Sequence, residues 1–133
     1  MNAQLMSAGK KKLKYTFGLY LNTDGRRVLG NAGAQILEAV EERGSIAAAA
    51  KKLKVSYGFA WNYLLRMRKD LHQPLVVTRR GGTPSAKRKG GGGTTLTPLA
   101  KALLKDFTET ERLMREILSK REGPAVTSGF QRK

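Results

Sequence analysis

The chain has 133 residues, of which 40% are hydrophobic, so it can bury one modest core and we expect a single domain. It contains 26 Lys and Arg against ten Asp and Glu, and the formal net charge of +16 predicts a polyanionic partner, nucleic acid rather than a membrane surface. The absence of cysteine excludes disulfides and thiolate metal sites, and the lack of a signal peptide or apolar span predicts a cytoplasmic, nucleoid-associated protein.

The N-terminal region predicts a basic arm followed by a β-hairpin. Residues 1–12 are small and polar, end in three lysines, and are expected to be flexible. From Leu13 to Leu21 every odd position is apolar or aromatic, which predicts a half-buried strand. Asp24-Gly25 is a typical tight-turn pair, so residues 26–30 should form the returning strand.

A first helix is predicted over residues 31–43. Ile36, Leu37 and Val40 mark its buried side, and Gly44 ends it as a left-handed cap. Its three glutamates should face away from any phosphate, and they lie at positions 38, 41 and 42.

Residues 44–70 predict two short helices with a tight break at Lys54-Val55. Ser45 and Ser56 are suitable N-caps for the two helices. The second helix carries a helically spaced apolar face, with Trp61 expected beside it in the core, and that face comprises Ala60, Leu64, Met67 and Leu71. This arrangement predicts a helix-turn-helix, while an ordinary helical hairpin inside a core is the alternative.

Two short strands are predicted to flank a long basic, glycine-rich stretch. Leu75–Thr78 and Thr94–Thr97 form the strands, and residues 79–93 lie between them. A nucleotide-binding loop would need Gly-Lys-Ser/Thr opening a helix, and here the glycines lead into a strand. The pattern therefore predicts the wing of a winged helix, over residues 75–97.

The last helix is predicted over residues 98–121, with Thr97 as its N-cap. About 23 helical residues would extend roughly 34 Å, longer than a domain of this size can cover. The predicted interface with a second copy comprises the apolar stripe Leu99, Leu103, Phe107, Leu113, Met114 and Ile117. The alternative is that the N-terminal hairpin covers this stripe within one chain. Residues 122–133 are predicted to be a flexible tail.

The helix-turn-helix resembles that of LysR-type regulators, and more closely that of the ModE-type, molybdate-responsive regulators. The matching motifs are Gly44-Ser45-Ile46, Ala48-Ala49-Ala50, Val55-Ser56-Tyr57, Ala60-Trp61 and the glycine run with Leu96-Thr97-Pro98. The resemblance covers roughly residues 13 to 118. It implies an α+β, mainly helical, winged helix-turn-helix domain over residues 13–121, with an N-terminal β-hairpin and a long C-terminal dimerisation helix. We expect no oxyanion sensing, since a molybdate-binding region is not recognised.

The expected partners are double-stranded DNA and a second copy of the chain, with RNA disfavoured. Base or groove contacts are predicted from the helix over residues 56–70, by Ser56, Tyr57, Gly58, Asn62, Tyr63 and Arg66. Phosphate contacts are predicted from cations near the turn and in the wing, namely Lys51, Lys52, Lys54, Arg79, Arg80, Lys87, Arg88 and Lys89. No cofactor or metal is expected, because the single His72 lacks a ligand cluster, and no nucleophile–base pair suggests an enzyme.

Two roles remain open at this stage. A transcription regulator would read a defined site with the helix that begins at Ser56. A chromatin or nucleoid-associated protein would coat DNA through charge and shape, which the long basic wing favours. The two differ in the ratio of specific to non-specific affinity.

Overall fold

The computed structural model describes residues 10–79 and 93–127. Its elements in chain order are β1 (Lys10–Lys11), β2 (Leu21–Thr23), β3 (Arg26–Leu29), α1 (Asn31–Arg43), α2 (Ile46–Leu53), α3 (Tyr57–Leu71), β4 (Val76–Arg79), β5 (Gly93–Leu96), α4 (Pro98–Ser119) and β6 (Val126–Thr127). The chain divides into a larger unit, residues 18–110, and a smaller unit made of residues up to 17 and from 111 onward.

The larger unit is a mainly helical winged helix-turn-helix, which confirms the predicted fold class. Its core forms around α1, because Ile36, Leu37 and Val40 are fully buried, as their spacing predicts. Leu29 from β3 and Met67 from α3 complete the centre of this core. Burial of these apolar side chains is the main stabilising contribution to the unit.

The helix boundaries follow from the predicted capping residues. Gly44 adopts φ 76° and donates its N–H to the Val40 carbonyl, which ends α1. The Ser45 hydroxyl accepts from the Ala48 N–H at 3.0 Å, and the Ser56 hydroxyl accepts from the Phe59 N–H at 3.0 Å. Between α2 and α3, Lys54 takes the left-handed conformation, with φ 60°. The helix-turn-helix break is therefore where the sequence predicts it.

The N-terminal hairpin is shorter than the alternation of residues 13–21 predicts. The turn at Asp24-Gly25 and the returning strand are present, but on the N-terminal side only residues 21–23 form a strand, β2. The strand prediction for residues 13–20 is wrong, because only an isolated bridge from Lys14 to Glu122 gives this segment backbone pairing. Alternating burial also occurs in extended chain that lies on other elements: Leu19, for example, packs on the core without a strand partner.

Strands β4 and β5 form the antiparallel base of the wing. Their register pairs Val76 with Leu96 and Arg79 with Gly93, close to the predicted strand limits. The Thr97 side chain then links the wing to α4, because its hydroxyl donates to the Pro74 carbonyl at 2.9 Å and accepts from the Ala100 N–H at 3.2 Å. Thr97 is thus the N-cap that the sequence predicts.

The smaller unit orders parts of both predicted flexible ends. Strand β1 pairs with β6, matching Lys10 with Thr127 and Lys11 with Val126. The Gly123 N–H also donates to the Leu13 carbonyl at 3.1 Å. Local composition cannot predict this pairing, because the two strands are more than 100 residues apart in the sequence. None of the helices in the described ranges is long and apolar enough to cross a membrane.

Candidate nucleic-acid interface

Helix α3 has one buried side and one exposed side. Ala60, Leu64 and Met67 are buried against the core, as their spacing predicts. Gly58 and Asn62 are exposed and lie on the side of the helix opposite this stripe. Because Gly58 has no side chain, a ligand backbone or groove wall could approach the first turn closely. This side of α3 therefore presents an exposed amide side chain next to exposed backbone.

The first turns of α3 also expose aromatic side chains. Tyr57 and Trp61 stack with ring centroids 6.2 Å apart and an angle of 9° between their planes. The prediction that Trp61 belongs to the core is wrong, since this side chain is 36% exposed. Trp61 follows Ala60 directly and is turned about 100° from it around the helix, beyond the buried stripe.

The remaining predicted groove residues do not share one surface. Ser56 is exposed, but its hydroxyl is engaged as the cap of α3. Tyr63 is half-buried and packs on the core, and a Cβ added at Gly33 in α1 would lie 3.0 Å from its ring. The Arg66 guanidinium lies over the Tyr63 ring, 4.6 Å from its centroid. The partly buried Tyr63 ring therefore packs against the guanidinium of the exposed Arg66.

The exposed charge of α3 is entirely positive. Arg66, Arg68 and Lys69 are exposed, whereas the side chain of Asp70, the one carboxylate in this helix, is only 5% exposed. An Arg26 guanidinium nitrogen lies 3.0 Å from the Asp70 carboxylate, so the hairpin neutralises this acid. Sequence reasoning missed this pair, because nothing local connects positions 26 and 70.

The lysines around the turn differ in their surroundings. Lys51 and Lys54 are exposed, and Lys52 forms an ion pair with Glu42 at the end of α1. The hydrogen bond from Lys52, its positive charge and, to a lesser extent, the charge of Arg43 lower the pKa of Glu42. The acidic end of α1 thus engages Lys52, one of the three lysines near the turn that were predicted to contact phosphate.

Replacing Lys52 by alanine should raise the pKa of Glu42 toward its ordinary value of 4.5. Because the pKa of Glu42 is lower in the folded protein, the pair stabilises the fold at pH values above 4.5. This contribution is lost as the pH falls through the pKa that Glu42 has in the folded state. An NMR titration of the Glu42 carboxyl would measure the shift. Lys51→Ala is the matched control and should leave the titration unchanged. An unaltered Glu42 titration in Lys52→Ala would contradict this assignment.

The wing candidates are only partly within the described residues. Arg79 is exposed at the end of β4, where it pairs with Gly93 at the start of β5. Arg80, Lys87, Arg88 and Lys89 lie outside the described residues. The paired strands therefore bring the two ends of the basic stretch together.

The predicted dimer residues divide along α4. In the larger unit, Phe107 is buried in its own core, while Leu99 and Leu103 are half-buried. Part of the stripe is thus covered within one chain. In the smaller unit, Leu113 and Ile117 are exposed and Met114 is half-buried. Among the described residues, no group of three or more His, Cys, Asp or Glu is placed to hold a metal ion.

Comparison with known proteins identifies a family and several relatives whose sequences are similar to this chain. Residues 33–101 match the family model of the bacterial regulatory helix-turn-helix protein, lysR family. The transcriptional regulator ModE of Haemophilus influenzae is 41% identical over 78 residues, which cover 59% of this chain and 28% of that protein. The molybdenum-pterin-binding protein MopB of Rhodobacter capsulatus is 33% identical over 102 residues, covering 77% of this chain and 35% of that protein. The predicted resemblance is thereby confirmed.

Among solved structures, the complex of the CbnR DNA-binding domain with DNA is similar to this chain. The match has a TM-score of 0.49 and 27% identity, and it covers 65% of this chain and 86% of that one. The chain spans 28 to 37% of the length of the curated relatives that it matches.

Proposed function

Because the chain belongs to the lysR family of bacterial regulatory helix-turn-helix proteins, we propose that it is a transcription regulator that binds double-stranded DNA. The observation that carries the proposal is the exposed side of α3, on which every exposed charged side chain is a cation. Related regulators include the ModE of Haemophilus influenzae, which supports a regulatory role.

In this proposal α3 enters the major groove with Asn62 and Arg66 toward the base edges. An asparagine amide can bind adenine through two hydrogen bonds, and an arginine can do the same with guanine. The Tyr63 ring under Arg66 restricts the guanidinium before DNA arrives, which reduces the entropy lost on binding. Tyr57 and Gly58 lie in the first turn and would approach the groove wall.

Phosphate contacts would come from cations that precede and follow α3 in the chain. Lys51, Lys54 and Arg79 are exposed, and the basic residues that follow Arg79 would extend the wing contact along the backbone. Each phosphate neutralised releases counterions, so affinity should fall steeply as salt concentration rises. Lys52 would first have to leave Glu42, so we assign it a smaller share.

A second copy of the chain would bind through the C-terminal half of α4. Leu113 and Ile117 are large apolar side chains that one chain leaves exposed. Pairing two such helices would bury these side chains, and a dimer would contain two copies of α3. The proposal assigns no catalytic step and no cofactor to the chain, and it places the protein in the cytoplasm with the DNA it binds.

Titration of labelled duplex DNA at several salt concentrations tests this proposal. We expect binding to duplex DNA in preference to an RNA hairpin of equal charge, with a steep dependence on salt. Substituting alanine at Lys51 or Lys54 should each reduce the slope of log affinity against log salt by about 0.9. Lys120→Ala, at an exposed cation in the smaller unit, is the matched control and should leave the slope unchanged. Equal binding to RNA and duplex DNA would contradict the proposal.

A further inference from the structure

Three large apolar side chains are exposed in a row along α3. Tyr57, Trp61 and Leu65 recur every four residues, so they adjoin one another on the helix surface. Their exposed fractions are 51%, 36% and 41%. We call this row the apolar ridge. The ridge lies outside the core packing that holds Tyr63 and Leu71 of the same helix.

The apolar ridge has an ordered arrangement without help from the core. The stacked Tyr57 and Trp61 rings fix one another, with 6.2 Å between their centroids. An exposed, ordered group of large apolar side chains is typical of a binding surface. Core packing requires none of the three side chains, so their size needs another explanation.

The charges around the apolar ridge indicate which kind of ligand would bind there. The exposed charged residues of α3 are Arg66, Arg68 and Lys69, and the buried Asp70 is neutralised by Arg26. A complementary ligand is therefore a polyanion that also presents apolar groups. In the major groove of duplex DNA the apolar group is the C5 methyl of thymine.

We propose that the apolar ridge contacts thymine C5 methyl groups when α3 lies in the major groove. The inference rests on the proposed DNA binding and adds a base feature that the ridge reads by apolar contact. Asn62 directly follows Trp61 and precedes Leu65 by one turn, so hydrogen-bonding and apolar reading would occur side by side. The preferred site then contains thymines next to the base pair that Asn62 contacts.

Replacing thymine by uracil in one duplex removes only the methyl groups and keeps the charge and base pairing. The experiment compares binding of the full chain to an A·T-rich duplex in its thymine and uracil forms. We expect about fourfold weaker binding to the uracil form for each methyl group that the ridge buries. Trp61→Ala should shift the ratio of the two affinities toward one, and its thermal stability should change little because Trp61 lies outside the hydrophobic core.

Phe59 provides a matched control on the same helix. It is also an exposed aromatic residue, but it lies about 200° around the helix from Trp61. Phe59→Ala should therefore retain the thymine preference of the unmodified chain. Equal binding of thymine and uracil duplexes would overturn the ridge inference while leaving DNA binding intact. A Trp61→Ala variant that weakens both forms equally would also overturn it. Failure to bind either duplex would instead contradict the proposed function.

Discussion

Replacing Met67 by alanine should lower the free energy of unfolding by about 2–5 kcal/mol. Met67 is 1% exposed, and its sulfur lies 3.6 Å from the position that a Cβ on Gly33 would occupy. Truncation would remove its contacts and leave a cavity between α3 and α1, because the close approach of the two helices at Gly33 limits collapse. Urea unfolding followed by circular dichroism would measure the change.

Leu65→Ala is the control for this prediction. Leu65 lies on the same helix and has a similar volume, but it is exposed and does not pack on the core. Its loss should change the free energy of unfolding by no more than about 0.5 kcal/mol. Similar destabilisation by the two substitutions would contradict the orientation of α3 on which the proposed interface depends.

The second large effect is expected from Asn62→Ala. Loss of a bidentate contact to a base should remove about 1–3 kcal/mol of discrimination, roughly a 5- to 150-fold fall in the preference for a selected duplex over random DNA. Binding to random DNA should persist, because the phosphate-contacting cations are unchanged. Fluorescence anisotropy with selected and random duplexes would measure the preference.

Asn22→Ala is the control for this second substitution. Asn22 is an exposed asparagine on β2 of the hairpin. It should leave both affinities unchanged. If Asn62→Ala weakens selected and random duplexes by the same factor, Asn62 does not read sequence and its assignment is wrong.

Local signals in the sequence predict the helix-turn-helix well. Ser45, Ser56 and Thr97 cap helices as their residue types suggest, and Gly44 ends α1. These features depend on contacts within three or four residues, which a single sequence contains. The buried stripe of α3 is equally local, because helical spacing defines it.

Features that depend on distant residues were not predicted. The pairing of β1 with β6 and the ion pair of Arg26 with Asp70 join segments far apart in sequence. Trp61 is a large apolar residue of a kind that usually lies in a core, but its position around α3 places it outside the buried stripe. The alternation of residues 13–20 predicted a strand that the structure does not form. Side chains of an extended segment can be buried alternately without a paired strand.

The most direct test of the regulatory role is a competition assay with selected genomic DNA. A fragment would be selected from random genomic pieces with the full chain, and labelled duplex would then be challenged with unlabelled random DNA. We predict that the selected fragment stays bound in a large excess of random competitor, and that Asn62→Ala abolishes this resistance. If every duplex competes equally, with affinity following salt alone, site-specific regulation is contradicted and the chain binds DNA without regard to sequence.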